Sequence, residues 1–161
     1  MATKITVGVT GGIAAYKAVE LVRALQTAGL DPHVVMTRAA EQFVTPLTFA
    51  AISGHRVITS LWASEGNESN LASAIDHIDE AQTTSALVVA PATADILAKF
   101  AYGIADDFLT TLHLATRAPV IVAPAMNVTC GIIRQRRPIS QSCAIEASGS
   151  SRPVAAISPA E

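Results

Sequence analysis

No apolar run in these 161 residues approaches the ~20 that a membrane-spanning helix needs. The chain enters a strand pattern at once, with no positively charged and apolar leader, so it reads as a cytoplasmic protein without a signal peptide. Cysteine is nearly absent: Cys130 and Cys143 form neither a disulfide framework nor a metal-ligand spacing. Charge of one sign is lacking too. A formal net charge of −2 gives no footprint for nucleic acid. Aromatic residues are few, and all seven lie before position 109. What is present is apolar: half the residues are hydrophobic and mean hydropathy is +0.41, enough to bury a sizeable core in one domain.

The apolar residues fall into short strands alternating with helical patterns. Ile5 to Val9 reads as a strand, followed by Thr10-Gly11-Gly12 and a helix over about Ile13 to Ala28. Ala18, Leu21, Val22 and Leu25 give that helix a stripe at spacings of 0, 3, 4 and 7, and Gly29 stops it. His33 to Met36 is a second strand. Thr37 is placed to cap a helix over about Ala39 to Ser53, interrupted at Pro46. Ser64 to Asn70 is polar and reads as a loop. Ala86 to Ala90 is a third strand, ending in Pro91-Ala92-Thr93 and a helix over Ala94 to Ala101. Gly103 to Asp107 turns into a helix over Phe108 to Thr116, and Pro119 to Ala123 is a last strand, buried on both faces. The alternation predicts an α/β fold with a doubly wound parallel sheet, in three α/β/α layers. No internal repeat is visible.

Sites in such sheets form where strands end. Pro124-Ala125-Met126-Asn127 sets down a single amide side chain at such an end. Thr10-Gly11-Gly12-Ile13 joins a strand to a helix, where glycines let backbone N–H groups approach an anion. It matches neither the dinucleotide nor the ATP-binding glycine pattern. Thr37 offers a hydroxyl at the next strand end. His77 lies between Asp76 and Asp79 and, near neutrality, is a ready general base, although a lone histidine is more often a surface residue. Asp106 and Asp107 suit helix capping better than paired-carboxylate chemistry. His33, His55 and His113 show no metal-site spacing, so no metal is expected.

Taken together the motifs resemble those of the flavin-containing cysteine decarboxylases. The similarity runs through Gly8 to Lys17, Met36 to Ala40, Phe43 to Phe49, His77-Ile78, Ala90 to Ala94, Gly103 to Asp107 and Pro124 to Asn127. It covers 4–128 without a gap and is strongest toward the branch acting on 4′-phosphopantothenoylcysteine in coenzyme A biosynthesis. The resemblance implies a Rossmann-like flavoprotein fold and an FMN cofactor. The phosphate would sit near Gly11, Gly12 and Thr37, with the flavin ring against Ala92, Thr93 and Ala94, and Ile13, Phe43 and Met126 are further cofactor contacts. It casts His77 as the base or charge partner of an oxidative step and Asn127 as the anchor of a cysteine-containing substrate's carboxylate. It implies a homotrimer, or a dodecamer of trimers, with flavins at subunit interfaces. Asp95 stands where relatives usually carry asparagine.

The pattern breaks after Val128. Residues 129–161 carry Arg134, Arg136, Arg137 and Arg152 against Glu146 and Glu161, with six serines and three prolines, and no stretch reads well as a strand or amphipathic helix. The family's A-C-G flap motif, about thirty residues beyond the asparagine, is missing. Codons for Thr129 to Ser140 can be chosen so that reading from the third base of codon 129 gives MWDHSPTQANL, which resembles the stretch after P-A-M-N in relatives. The same shift over Pro153 to Glu161 gives GSGYLACG, the missing motif at the expected distance. The expectation is therefore an FMN-binding decarboxylase domain over 1–128 and an atypical segment over 129–161, frameshifted by a one-nucleotide deletion.

Overall fold

Each strand forms where apolar and β-branched residues run together. The computed structural model describes residues 2–62, 70–127 and 154–156. Its strands are β1 (Thr3–Val9), β2 (Leu30–Met36), β3 (Ala86–Ala92), β4 (Val120–Pro124) and β5 (Val154–Ala156). All pair in parallel, in the order β2-β1-β3-β4-β5. The helices are α1 (Ala15–Thr27), α2 (Pro46–Ser53), α3 (Asn70–Thr83), α4 (Ala94–Tyr102) and α5 (Phe108–Ala115).

Alternate strand residues feed two cores, one on each face of the sheet. Ile5, Val7 and Val9 of β1 join Ala18 and Val22 of α1 and Phe49 of α2. Leu87 and Val89 of β3 join Ile96 and Phe100 of α4 and Leu109 and Leu112 of α5. The expected three-layer, doubly wound arrangement is what the chain adopts. Phe49 and Phe108 are almost wholly buried, each contributing about 1.5–3 kcal/mol relative to exposure.

The helix expected over Ala39 to Ser53 with an interruption at Pro46 is divided there, into a 3₁₀ turn at Ala40–Gln42 and α2, because Pro46 has no N–H to donate and serves as a first helical residue. Three expectations need correction. Asn70, expected in a loop, begins α3, so His77 lies on a helix rather than in a connection. β3 continues through Pro91 to Ala92, past its expected end. Val154–Ala156 forms a strand where none was expected, parallel to β4. The rest of 129–161, and 64–69 of the expected loop, lie outside the described residues.

A buried polar network fastens α3 to β1. Glu80, only 5% exposed, accepts from Lys4 Nζ at 2.7 Å and from the Thr6 hydroxyl at 2.5 Å. The Thr6 N–H donates to Thr84 Oγ1 at 3.1 Å, and the Thr84 hydroxyl donates to the Ala86 carbonyl at 2.8 Å. Every member has a partner, which is what makes a buried polar cluster tolerable. Among the described residues no helix is long and apolar enough to cross a membrane.

Candidate functional site

The strand order changes direction between β1 and β3, and in open α/β sheets that switch point opens a crevice beyond the carboxyl ends of the strands. The turn after β1 is tied across it. The Thr10 hydroxyl donates to the Pro91 carbonyl at 2.6 Å and accepts from the Thr93 N–H at 3.1 Å. The turn after β2 is joined on the other side, where the Thr37 N–H donates to the Val9 carbonyl at 3.0 Å. Gly11 lies between them. A Cβ on Gly11 would collide with Ala39 Cβ and stand 2.8 Å from the Ala39 carbonyl carbon, so only glycine fits this approach.

These turns frame a cavity of about 700 Å³. The first two turns supply Thr10, Gly11, Thr37, Arg38, Ala39 and Gln42. The start of α4 and the α4–α5 turn supply Thr93, Asp95, Lys99, Asp106 and Asp107. Lys99 bonds Asp106 at 2.9 Å and lies 3.6 Å from Asp95. Burial alone would lower the Lys99 ammonium, but the Asp106 hydrogen bond and the charges of Asp95, Asp106 and Asp107 outweigh it, leaving Lys99 above its ordinary value. Asp107 does cap α5, accepting from the Thr110 N–H at 2.8 Å in a reciprocal capping box. Thr37 likewise caps locally, its Oγ1 accepting from Ala40 N–H at 3.3 Å.

Of the residues expected at the site, Gly11, Thr37 and Thr93 line this cavity. Gly12 faces the same seam, since a Cβ there would lie 3.5 Å from Thr93 Cγ2. Thr93 caps α4, and Ala94 is its first residue. Ala92 is fully buried, and Met126 packs against the α4–α5 core. Ile13 and Phe43 are 84% and 54% exposed, an unusual position for large apolar side chains. Ala92, Ala94, Met126, Ile13 and Phe43 do not line the cavity within the described residues.

His77 sits half-buried on α3, its ring edge-on to Phe108 at 6.5 Å between centroids. Its Nδ1 is buried and has no hydrogen-bond partner among the described residues. Asn127 is exposed at the end of the β4 extension, which is registered on β3 by the Ala125 N–H donating to the Ala92 carbonyl at 3.0 Å. Arg38, Gln42 and Lys99 carry no signal in the sequence. Arg38 and Gln42 come from the turn after β2 and Lys99 from α4, and no spacing relates the lysine to the other two.

A second grouping is one that histidine spacing does not reveal. Asp31, His33 and His55 each place a ligand-capable atom within 4.8 Å of the others. His33 is two residues from Asp31 on β2, whereas α2 and the turn after it bring His55 from a distance no spacing rule covers. The His55 hydrogen bond, opposed by partial burial and aided by His33, holds the Asp31 carboxyl below its ordinary value.

The chain's similarity to known proteins agrees with this geometry. A family model described as Flavoprotein matches residues 1–135. The coenzyme A biosynthesis bifunctional protein CoaBC of Haemophilus influenzae is 49% identical over 123 residues, 76% of this chain and 30% of that protein. The CoaBC of Bacillus subtilis is 50% identical over 120 residues, 74% of this chain and 28% of that protein. The chain thus spans less than a third of the length of these curated relatives. Among solved structures, the FMN-dependent cysteine decarboxylase SpaF superposes with a TM-score of 0.80 at 28% identity, covering 96% of this chain and 83% of that one. With most of its length matched by the family model and the expected cavity at its strand switch point, the chain belongs to the flavoprotein family.

Proposed function

We propose that this chain is an FMN-dependent carboxy-lyase that decarboxylates 4′-phospho-N-pantothenoylcysteine to 4′-phosphopantetheine in the cytoplasm. The observation that carries the reading is the cavity at the β1–β3 switch point, walled by a turn in which only glycine fits. The relatives named for coenzyme A biosynthesis support the substrate, at nearly half identity over three quarters of the chain.

The residues present fit a flavin mononucleotide. Gly11, Thr37 and Arg38 offer close backbone approach, a hydroxyl and a cation to its phosphate, with Gly12 beside them in the turn. Thr93 lines the cavity beside the ring, while the contacts assigned to Ala92, Ala94, Ile13, Phe43 and Met126 rest on the family resemblance, since these residues lie outside that lining. When bound, FMN supplies a hydride acceptor for the carbon–sulfur end of the substrate cysteine, creating the electron sink that loss of CO₂ requires. Asn127 holds the substrate carboxylate through its amide N–H groups. His77 exchanges or balances a proton at the substrate, and its unpartnered Nδ1 supports that role.

The exposed Ile13 and Phe43 support assembly into a homotrimer, or a dodecamer of trimers, in which a neighbouring subunit covers them. The catalytic domain is 1–128. Residues 129–161 are proposed to be the family's flap segment read out of frame, which leaves the chain as written with impaired turnover. Sequencing the gene across codons 125–135 tests that point, and an uninterrupted frame there overturns it.

The purified chain with FMN and 4′-phosphopantothenoylcysteine, followed by mass spectrometry for CO₂ and product, tests the activity. No flavin absorption band after reconstitution overturns the cofactor. A flavin-loaded protein that decarboxylates only C-terminal cysteine peptides would favour the second reading, a peptidyl-cysteine decarboxylase. A flavin-loaded protein inert toward both substrates would mark a non-catalytic FMN-binding subunit.

A further inference from the structure

We propose that Asp31, His33 and His55 form a binding site for one divalent transition-metal ion of the zinc type, separate from the flavin cavity. Asp31 is the second residue of β2, while Thr37 and Arg38 at the far end of that strand line the cavity. Six residues of strand separate the two, about 20 Å.

Asp31 and His33 are two apart on one strand and so project from the same face. His55 comes from the turn after α2. Its N–H donates to Ser53 Oγ at 3.2 Å, and the chain beyond it is fixed by the parallel bridge between Ile58 and Val35. Both imidazoles aim Nε2 at one carboxylate: His33 at 3.2 Å from Oδ2 and His55 at 2.6 Å from Oδ1. The two rings stack at 4.1 Å with a 21° tilt. A single carboxylate thus orients two nitrogen ligands toward one point.

The donor set decides the class of ion. Two imidazoles and a carboxylate suit zinc and its neighbours, whereas magnesium and calcium take oxygen ligands. Ligand atoms in a tetrahedral zinc site stand roughly 3.3 Å apart, given metal–ligand bonds of about 2.0–2.1 Å. The His33 contact at 3.2 Å already has that spacing, the His55 contact at 2.6 Å opens by less than an ångström to reach it, and no separation in the set exceeds 4.8 Å. The side chains are a quarter to a third exposed, so an ion reaches them from water, and water completes its coordination. An ion held there cross-links β2, the edge strand, to the segment after α2.

The test uses the full chain in a Cys130→Ser/Cys143→Ser background, which removes competing thiols, after treatment with a chelator. Calorimetric titration with zinc is expected to show one ion per chain at micromolar or tighter affinity, and a raised melting temperature. Magnesium is expected to do neither. His55→Gln should weaken zinc binding by roughly 10–100-fold, the scale seen when a metal site loses even an outer partner. His33→Arg keeps a donor toward Asp31 but no ligand atom, so it should fold by circular dichroism and still lose zinc. Absence of zinc binding at micromolar concentrations, equal affinity in the two histidine variants and the parent, or an equal response to magnesium would each overturn the proposal.

Discussion

Ala39 occupies the space into which a Gly11 side chain would grow: a Cβ on Gly11 would collide with Ala39 Cβ and lie 2.8 Å from the Ala39 carbonyl carbon. Backbone cannot yield as a flexible side chain can. Gly11→Ala is therefore expected to shift the turn, costing about 1–3 kcal/mol of stability by overpacking. FMN affinity should fall roughly tenfold or more, which corresponds to about 1.4 kcal/mol of lost binding. Gly12→Ala meets nothing nearer than 3.5 Å and should stay within about 1 kcal/mol of the parent. Urea denaturation and flavin fluorescence titration of the pair check both statements.

The Glu80 network gives a second expectation. Glu80→Ala leaves the Lys4 ammonium and the Thr6 hydroxyl without their common acceptor. Because Lys4 keeps some contact with water, the loss should be about 2–3 kcal/mol, below that of a fully buried pair. Glu80→Gln, which keeps an acceptor, should lose less. Denaturant midpoints of the two variants test the order.

Asp107→Ala removes the side-chain half of the α5 capping box, leaving only the backbone N–H of residue 107 donating to Thr110 Oγ1, and should cost about 1–2 kcal/mol. Asp107→Ser should recover most of it. Recovery of nothing by serine, measured by thermal unfolding, would show that Asp107 acts through the cavity's charge rather than through the cap.

Lys99 ties stability to alkaline pH. Its folded value is raised above the ordinary lysine value of 10.5, so its contribution is fully present below that pH and is lost as pH rises through the folded value. The stability gap between the parent and Lys99→Gln should be constant from neutral pH to the lower edge of that range, then shrink above it. Urea titrations on both sides of the range measure the gap.

His77→Gln keeps an amide of similar reach but cannot exchange a proton near neutrality. Turnover should fall by about 10²–10⁴, the usual weight of a general acid–base group, while FMN binding is retained. Loss of flavin together with activity would mean that His77 supports the fold instead.

The strands are legible because β3 and β4 are continuous apolar runs and β1 is nearly so, broken by Thr6, and because Gly11-Gly12 and Thr93 follow β1 and β3 while Pro124 closes β4. α3 escapes notice in the sequence, although Leu71, Ala74, Ile75 and Ile78 stand at spacings of 0, 3, 4 and 7. The polar stretch before it and the charged surroundings of His77 mask that pattern. The cavity is half-legible. Gly11, Thr37 and Thr93 sit at strand ends that periodicity reveals, whereas Arg38 and Lys99 line one cavity only because the sheet order places β1 between β2 and β3. His33 and His55 escape for the same reason, since their approach depends on where α2 returns the chain.

The buried Thr6 hydroxyl also sets an order of assembly. Its acceptor, Glu80, lies 74 residues downstream, and Thr84, which receives its N–H, lies 78 downstream. Thr6 faces away from α1 and α2, which cover Ile5, Val7 and Val9, so a nascent chain that has made only β1, α1, β2 and α2 leaves Thr6 on an open face of the sheet. That face is covered only when α3 brings Glu80 and Thr84 to it, and contacts so far apart in sequence make for slow folding.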